Sequence, residues 1–392
     1  MSMIAHELIK RTQDDTLWKN EMDHILPWLI LKNIPGIGNH LFKRLLDQWK
    51  SPEIILQQPM AELATVQGVS EKVAKEIHQR ISKINAQKEI ERAKKLGINI
   101  LSMNDEQYPP LLRLLPDPPP VLYVYGQLIP SDSCVAIVGA RNSTTYGDTI
   151  TRSLSKELAD NQITIVSGMA RGIDTAAHKG ALDANGRTVA VMGCGLETVY
   201  PGENKALFHS IAKNNGAVIS EFSMGAKPEA YHFPSRNRII SGMSMGTIVV
   251  EAGNKSGSLI TARLALEQDR QVFAVPGQIH SQMTEGTHRL IKQGAKLIEN
   301  ARDVLEDLGP FLNAHLQILP KKQMSSREKD LPPMDSTEKL IWDQLTIEPQ
   351  YIDDIQHQLD ITTSDLSVQL LQMEMKNLVE QHPGKRFSRG IL

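Results

Sequence analysis

Residues 134–168 read CVAIVGARNSTTYGDTITRSLSKELADNQITIVSG, and this stretch decides the fold. Two short apolar runs, 134–139 and 163–168, each end in glycine, and a segment with helical periodicity separates them. Further apolar runs follow at 188–193, 217–221, 246–252 and 271–277. Strands that are apolar almost throughout, with helices between them, are typical of a doubly wound parallel sheet. We therefore expect an α/β domain with an extended Rossmann-like sheet over residues 98–308.

The segment before the sheet has a different pattern. Residues 1–97 carry apolar residues at helical spacing, and two similar glycine turns lie between short helices, Pro35–Gly38 and Gln67–Ser70. The duplicated turn predicts an N-terminal helical domain of the helix-hairpin-helix (SAM-like) type. Glycine lets such a turn approach a phosphate closely. A purely structural or protein-docking role is the favoured alternative for these turns.

The segment after the sheet is expected to contain a linker and a small domain. Residues 309–334 are rich in Lys, Ser, Glu and Pro, which predicts a flexible linker. Residues 335–392 combine helical segments with a glycine-centred hairpin, a pattern that favours a C-terminal winged helix.

Composition limits the classes of function. The 392 residues have a formal net charge of −2, so any nucleic-acid partner requires locally concentrated positive charge. Cys134 and Cys194 form neither a disulfide framework nor a zinc pattern, and we expect buried thiols in a reducing compartment. The N-terminus lacks the apolar core of a signal peptide, and no apolar stretch could span a membrane. We therefore expect a cytoplasmic protein with no membrane partner, no metal and no cofactor.

Basic residues accompany the predicted strand ends. Ligands of doubly wound sheets bind outside the carboxyl ends of the strands, and nearly every predicted strand here ends in glycine or another small residue. Five basic residues follow strands or lie in loops on this predicted rim, where guanidinium groups could grip phosphates. They are Arg141, Arg171, Arg236, Arg238 and Lys255. Each alone is more simply a solvated charge, but together they favour an anion site.

Enzymatic alternatives lack their usual motifs. Gly139–Thr144 does not match the dinucleotide-binding fingerprint, and the phosphate-binding loop of ATPases is absent from the sequence. A glycine-rich turn, 242–247, precedes Glu251, which leaves a nucleotide hydrolase as an open alternative. Asp174 is expected to cap a helix, and His178 to lie in a polar part of the core or on the surface.

The motifs of the central region resemble those of the DprA (Smf) family of DNA-processing proteins. The matching stretches occur in the family's order: AIVGARNSTTYG (136–147), SGMARGIDTAAH (167–178), GCGLETVYP (193–201), HFPSRNRIISG (232–242), EAGNKSGSLITARLALEQDRQVFAVPG (251–277) and GTHRLIKQGA (286–295). The resemblance implies sequence-independent binding of single-stranded DNA, without catalysis, and loading of the recombinase RecA in natural transformation.

The resemblance also implies a set of DNA-binding residues. Carried over by motif, they are Arg141, Ser167, Gly168, Arg236, Asn237, Arg238, Ser256, Gly257, Ser258 and Thr261. Several relatives have a lysine just before the aromatic-Pro-x-Arg run; here Ala230 and Tyr231 stand there. Lys227 is the nearest lysine, and we include it, together with Arg171 and Lys255, among the expected DNA-binding residues.

The resemblance implies protein partners as well. It places a homodimer surface near Leu290, Ile291 and Leu297, although burial in the monomer core is an equal alternative for these residues. Single-strand-binding protein is a further expected partner. A transcription factor built on the winged helix is disfavoured, because the last predicted helix has one lysine and no arginine.

Overall fold

The computed structural model describes residues 24–80, 83–312, 334–346, 349–359, 361–376 and 378–389. These residues fall into two compact units, one containing 24–142 with 151–312 and the other containing 143–150 with 334–389. Within the described ranges, no helix has the length and apolarity needed to cross a lipid bilayer. The predicted linker at 309–334 lies mostly outside the described residues.

The first unit is built around a nine-stranded sheet. Seven strands run parallel, and the strand order is β1-β2-β6-β5-β4-β3-β7-β8-β9. Most of the parallel strands are buried along their whole length, as the apolar runs predict. The strands are β1 (Asn99–Ser102), β2 (Val121–Gly126), β3 (Cys134–Val138), β4 (Thr164–Ser167), β5 (Thr188–Val191), β6 (Ala217–Ser220), β7 (Gly246–Val249), β8 (Gln271–Ala274) and β9 (Lys296–Leu297).

The predicted fold class is confirmed, with one addition at the edge of the sheet. β2 pairs antiparallel with β6, and β1 pairs antiparallel with β2, so the sheet is mixed. Helices connect the strands; α9 packs on β3, β4 and β5, and α12 packs on β7 and β8. The sheet region contains α7 (Pro110–Arg113), α8 (Thr145–Asp160), α9 (Ile173–Asp183), a short 3₁₀ helix (Gly202–Asn204), α10 (Lys205–Lys213), α11 (His232–Gly242), α12 (Ser258–Glu267), α13 (Glu285–Lys292) and α14 (Ala301–Leu312).

The N-terminal segment forms the predicted pair of helical hairpins. Gly36 and Gly68 occupy equivalent turn positions and have φ angles of 92° and 98°, a conformation that favours glycine. Ser70 accepts a hydrogen bond from the backbone of Val73 and so caps the helix that follows the second turn. The helices are α1 (24–32), α2 (Asn39–Trp49), α3 (Pro52–Ile55), α4 (Met60–Leu63), α5 (Glu71–Gln79) and α6 (Lys83–Lys95).

The helical segment shares one hydrophobic core with the sheet. A buried carboxylate lies at their junction: Glu89 of α6 accepts hydrogen bonds from the Tyr123 hydroxyl at 2.6 Å and from the Met224 backbone at 3.0 Å. Arg92 of α6 forms an ion pair with Glu197, which lies in the loop after β5. Within the first unit, this segment packs against the edge of the sheet.

The second unit contains the predicted winged helix. Three helices pack around their own core and are followed by a hairpin, and the three strands pair in the order β10-β12-β11. Asp335 and Glu338 form a capping box at the start of the first helix. The elements are α15 (Ser336–Gln344), β10 (Gln350–Tyr351), α16 (Ile352–Leu359), α17 (Thr363–Met375), β11 (Val379–His382) and β12 (Arg386–Arg389).

Candidate nucleic-acid interface

A cleft of about 800 Å³ opens at the carboxyl ends of β3 and β7. The chain continues from β3 to β4, β5 and β6 on one side, and β7 to β9 lie on the other side. This reversal of strand order is the place where doubly wound sheets bind ligands. The walls come from the turn after β3, the loop after β7, and the two helices α11 and α12.

An arginine stacked on an aromatic ring forms one wall. Arg141 lies three residues after the end of β3 and is exposed, and its guanidinium carbon lies 5.2 Å from the centre of the Phe233 ring. Phe233 also contacts Tyr200, whose ring centre lies 5.7 Å away and whose side chain is 43% exposed. A Cβ at Gly193 would lie 2.8 Å from the Phe233 ring, so this glycine makes room for the aromatic side chain. The wall combines a cation with rings on which nucleobases could stack.

The loop after β7 forms another part of the cleft wall. Lys255 is exposed there, and it precedes a hydroxyl pair, since the Oγ atoms of Ser256 and Ser258 lie 2.7 Å apart. Ser258 begins α12, so the positive end of the helix dipole faces the same cleft. Asn237 of α11 and Thr261 of α12 also line the cleft, together with Gly257. The structure thus brings the predicted residues of this loop together with Arg141.

Arg236 lines the cleft but is buried at its base, with 3% exposure. Its guanidinium donates to the carbonyl oxygens of Gly168, at 2.6 Å, and of Val191. Burial lowers the pKa of Arg236 to about 10, while the Asp174 carboxylate opposes that shift. Arg236 therefore ties together the chain segments that leave β4 and β5 and differs from an exposed phosphate-binding arginine.

The Ser167–Gly168 turn packs against the buried guanidinium of Arg236. Ser167 donates its hydroxyl to the Ile137 carbonyl, and a Cβ at Gly168 would stand 2.6 Å from the Arg236 guanidinium. Asp174 accepts backbone hydrogen bonds from Gly168 and Ala170, each at 3.2 Å. The residue preceding α9 is Gly172, so the expectation that Asp174 caps the helix was wrong; its carboxylate holds the loop instead.

His178 lies in the core, one of the two environments that the sequence suggested. The ring is fully buried, and its Nδ1 lies 2.7 Å from the Thr188 hydroxyl. Burial, assisted by the charge of Arg236, lowers the pKa of His178 to about 3. The side chain is therefore neutral at physiological pH.

Three predicted basic residues do not line the cleft. Arg238 is 7% exposed and forms ion pairs with Glu221 and Asp117, and Arg171 is exposed and paired with Glu203. Lys227 is exposed next to the cleft, where Pro228 and Ala230 form the wall. The expectation of five basic groups on one rim is therefore met only by Arg141 and Lys255 as exposed side chains, with Arg236 beneath them.

Sequence reasoning missed the aromatic part of the cleft. Phe233 and Tyr200 line the cleft and belong to the motifs at 232–242 and 193–201, but the residues predicted from those motifs were charged or small. Aromatic side chains interleaved with basic residues are the available signal for single-strand binding. The alternative catalytic residue Glu251 is 2% exposed and is not part of the cleft wall.

The residues expected at a dimer surface have different environments. Leu290 belongs to the monomer core, and Ile291 packs against that core. Leu297 is 44% exposed at the edge strand β9. Of the three side chains, Leu297 is therefore the most exposed.

Three segments of the chain match known protein families. Residues 99–309 match the family described as DNA recombination-mediator protein A, residues 325–385 match the DprA winged helix domain, and residues 29–83 match the SAM-like helix-hairpin-helix tandem. Protein Smf of Synechocystis sp. is 36% identical over 92% of this chain and 98% of its own length. DNA processing protein DprA of Bacillus subtilis is 41% identical over 67% of this chain and 89% of its own.

A solved structure agrees with these matches. The X-ray structure of DNA processing protein A from Streptococcus pneumoniae superimposes with a TM-score of 0.64 and 36% sequence identity, covering 71% of this chain and 95% of that one. The matched family covers more than half of the sequence, and the relative from Synechocystis extends over almost all of it. The chain therefore belongs to the DNA recombination-mediator protein A (DprA/Smf) family.

Proposed function

We propose that this protein binds single-stranded DNA without sequence preference in the cleft and assists the loading of RecA onto that strand. The observation that carries the proposal is the stacked pair of Arg141 and Phe233, which lines the same cleft as Lys255. Cations bind phosphates and rings stack on base faces, and every nucleotide presents both. The proposal is supported by the relatives' names, which describe DNA processing, and by the family's description as a recombination mediator.

We assign two roles to the predicted site residues. Arg141, Asn237, Lys255, Ser256, Gly257, Ser258 and Thr261 line the cleft and are proposed to contact the strand. Ser167, Gly168 and Arg236 are proposed to shape the base of the cleft. We propose that the strand does not contact the remaining three predicted residues, Arg171, Arg238 and Lys227.

The direct test is binding of a fluorescently labelled oligothymidine by wild type and by Arg141→Ala, measured by anisotropy. Losing a charge-assisted and stacking contact should weaken binding by about 1–3 kcal/mol, which is roughly 5- to 150-fold. Arg302→Ala is the matched control, because Arg302 is an exposed arginine in an i,i+4 ion pair on α14. Equal affinity of Arg141→Ala and wild type, with unchanged circular dichroism, would refute the cleft assignment.

The salt dependence of binding tests how many phosphates the cleft neutralises. Two exposed cations in the wall predict a slope of log affinity against log salt of about −1.4 for an oligonucleotide short enough to occupy one cleft. Five cations would give about −3.5. A measured slope near −3.5 would mean that basic residues outside the cleft carry much of the binding.

RecA loading is tested separately from DNA binding. Strands coated with single-strand-binding protein should acquire RecA filaments faster in the presence of wild type than of Arg141→Ala, with RecA from the same source. A preparation that binds single strands but does not accelerate filament assembly would contradict the mediator role and leave DNA binding intact.

A homodimer is part of the proposal. Two linked clefts would raise affinity for a long strand through avidity without new contacts. Leu297→Glu places a charge on the exposed edge strand and should shift the mass measured by light scattering from dimer toward monomer. An unchanged mass would place the dimer surface elsewhere.

We also propose that the protein acts in the cytoplasm and has no nucleotide-hydrolysing activity. The absence of hydrolysis is supported by Glu251, which is buried and is not part of the cleft wall. Purified protein incubated with ATP, NAD or nucleoside monophosphates should release no product in a chromatographic assay. Turnover that is lost in Glu251→Gln would establish the hydrolase alternative.

A further inference from the structure

A second cavity, of about 440 Å³, lies at the opposite end of the sheet from the cleft. It opens where β3, β5, β7 and β8 begin, whereas the cleft lies where β3 and β7 end. Its size is within the range of small-molecule sites in proteins. The lining residues are Pro109–Leu111, Leu128–Cys134, Val189, Met243, Met245 and Asp269–Gln271.

The walls of this cavity are largely apolar and partly rigid. Pro109, Pro110 and Pro130 fix their own backbone angles and form two sides. Met243 and Met245 form another side, and methionine side chains adapt to ligands of irregular shape. A concave apolar surface with preformed walls suits a compact hydrophobic molecule.

One cation in the wall, Arg270, is incompletely paired. Arg270 forms no ion pair in the described part of the chain; its Nη2 donates to the Leu111 carbonyl at 3.3 Å, and its buried Nε has no acceptor among the described residues. Burial lowers the pKa of Arg270, and Asp269, exposed beside it, only partly opposes that shift. An incompletely hydrogen-bonded guanidinium at an apolar surface is best matched by an anionic group.

The other acid in the wall is already engaged. Asp132 accepts from Arg187, with an Oδ2–Nε distance of 3.0 Å and an Oδ2–Nη2 distance of 2.9 Å. Its negative charge is therefore compensated outside the cavity. Arg270 remains the charged group of the wall that a ligand could neutralise.

We propose that this second cavity is a binding site for a small apolar molecule that carries one carboxylate, with the carboxylate held by Arg270 and the apolar body between the prolines and the methionines. This site is separate from the cleft that is proposed to bind DNA, and the present proposal does not depend on the function proposed for that cleft.

The test is calorimetric titration with two matched probes, 1-naphthaleneacetic acid and the neutral 2-(1-naphthyl)ethanol. Wild type should bind both and prefer the carboxylate. Arg270→Met keeps the length of the side chain without its charge, so it should weaken carboxylate binding about tenfold or more and leave the alcohol unaffected. Met245→Trp should fill the cavity and weaken binding of both probes.

Two controls locate the probe. Arg302→Met makes the same exchange at an exposed site of α14 and should behave as wild type. Arg141→Ala alters the cleft and should bind naphthaleneacetic acid as wild type does. Absence of saturable binding by wild type, equal carboxylate binding by Arg270→Met, or loss of binding in Arg141→Ala would each overturn the proposal. Because Arg270→Met changes a half-buried side chain, its folding is checked by circular dichroism and by unchanged oligothymidine affinity.

Discussion

Replacing Arg236 by methionine should destabilise the first unit, which contains the nine-stranded sheet. It should weaken DNA binding only indirectly, by changing the shape of the cleft. The buried guanidinium donates to the carbonyls of Gly168 and Val191 and balances the charge of the buried Asp174. Methionine fills a similar volume but supplies no donor. The substitution therefore leaves two carbonyls without this donor and one carboxylate without its nearby cation.

The magnitude follows from leaving two buried carbonyl groups without their donor, which costs about 1–3 kcal/mol for each carbonyl and about 2–6 kcal/mol for both. For a unit of this size, that loss lowers the thermal midpoint by roughly 4–12 °C. Adding Asp174→Asn removes the uncompensated carboxylate, so the double variant should regain about 1 kcal/mol or more relative to the sum of the single variants. Arg236→Lys keeps the charge but loses the two-pronged donor and should lie between methionine and wild type.

The assay combines thermal denaturation with oligothymidine anisotropy below the lowest midpoint. Arg141→Ala is the matched comparison, because it should weaken binding and leave the midpoint unchanged. If Arg236→Met melts like wild type while losing affinity as strongly as Arg141→Ala, then Arg236 contacts the strand directly and the structural role argued for it is incorrect.

Three further predictions concern groups around the cleft. Arg238→Met should lower the free energy of unfolding by about 3–5 kcal/mol, because Glu221 stays buried without its cation, while anisotropy of the folded protein shows wild-type affinity. Gly168→Ala should lower both thermal midpoint and oligothymidine affinity, since its Cβ would press on the Arg236 guanidinium at 2.6 Å. Because burial lowers the pKa of His178 from 6.5 to about 3, the unfolded chain binds this proton first as pH falls. The free energy of unfolding in urea should therefore decrease by about 1.4 kcal/mol per pH unit below 6.5, a contribution absent from His178→Asn.

The parallel strands could be predicted because the apolar runs are short and nearly all of them end in glycine or another small residue. The six strands expected from these runs are present as β3 to β8. β9 was missed because Lys296–Leu297 is too short to show any alternation. The antiparallel pairing of β1 and β2 was also not predicted, since the direction of an edge strand depends on how the chain returns to the sheet and not on local residue pattern.

The roles of the arginines could not be predicted, because the helical structure of residues 232–242 was not recognised. Pro234 suggests irregular backbone, but it lies in the first turn of α11, where proline is tolerated. Residues two apart on a helix are separated by roughly 200° around its axis. Arg236 and Arg238 therefore point to opposite sides, one toward the cleft and one toward Glu221.

This arrangement explains how a protein with a net charge of −2 can present a cationic cleft without general basicity. Arg238 is neutralised by Glu221 and Asp117 on the back of α11, and that junction also includes Asn39, whose amide donates to Glu221 at 3.0 Å. Arg236 on the front of the same helix is buried against carbonyl groups and fixes the backbone from which Phe233 projects. The helix is thus held on both sides by buried guanidinium groups, and the proposed contact surface consists of Arg141, Phe233 and Lys255. Affinity for a strand should then depend on few exposed residues, while the shape that places them depends on many buried ones.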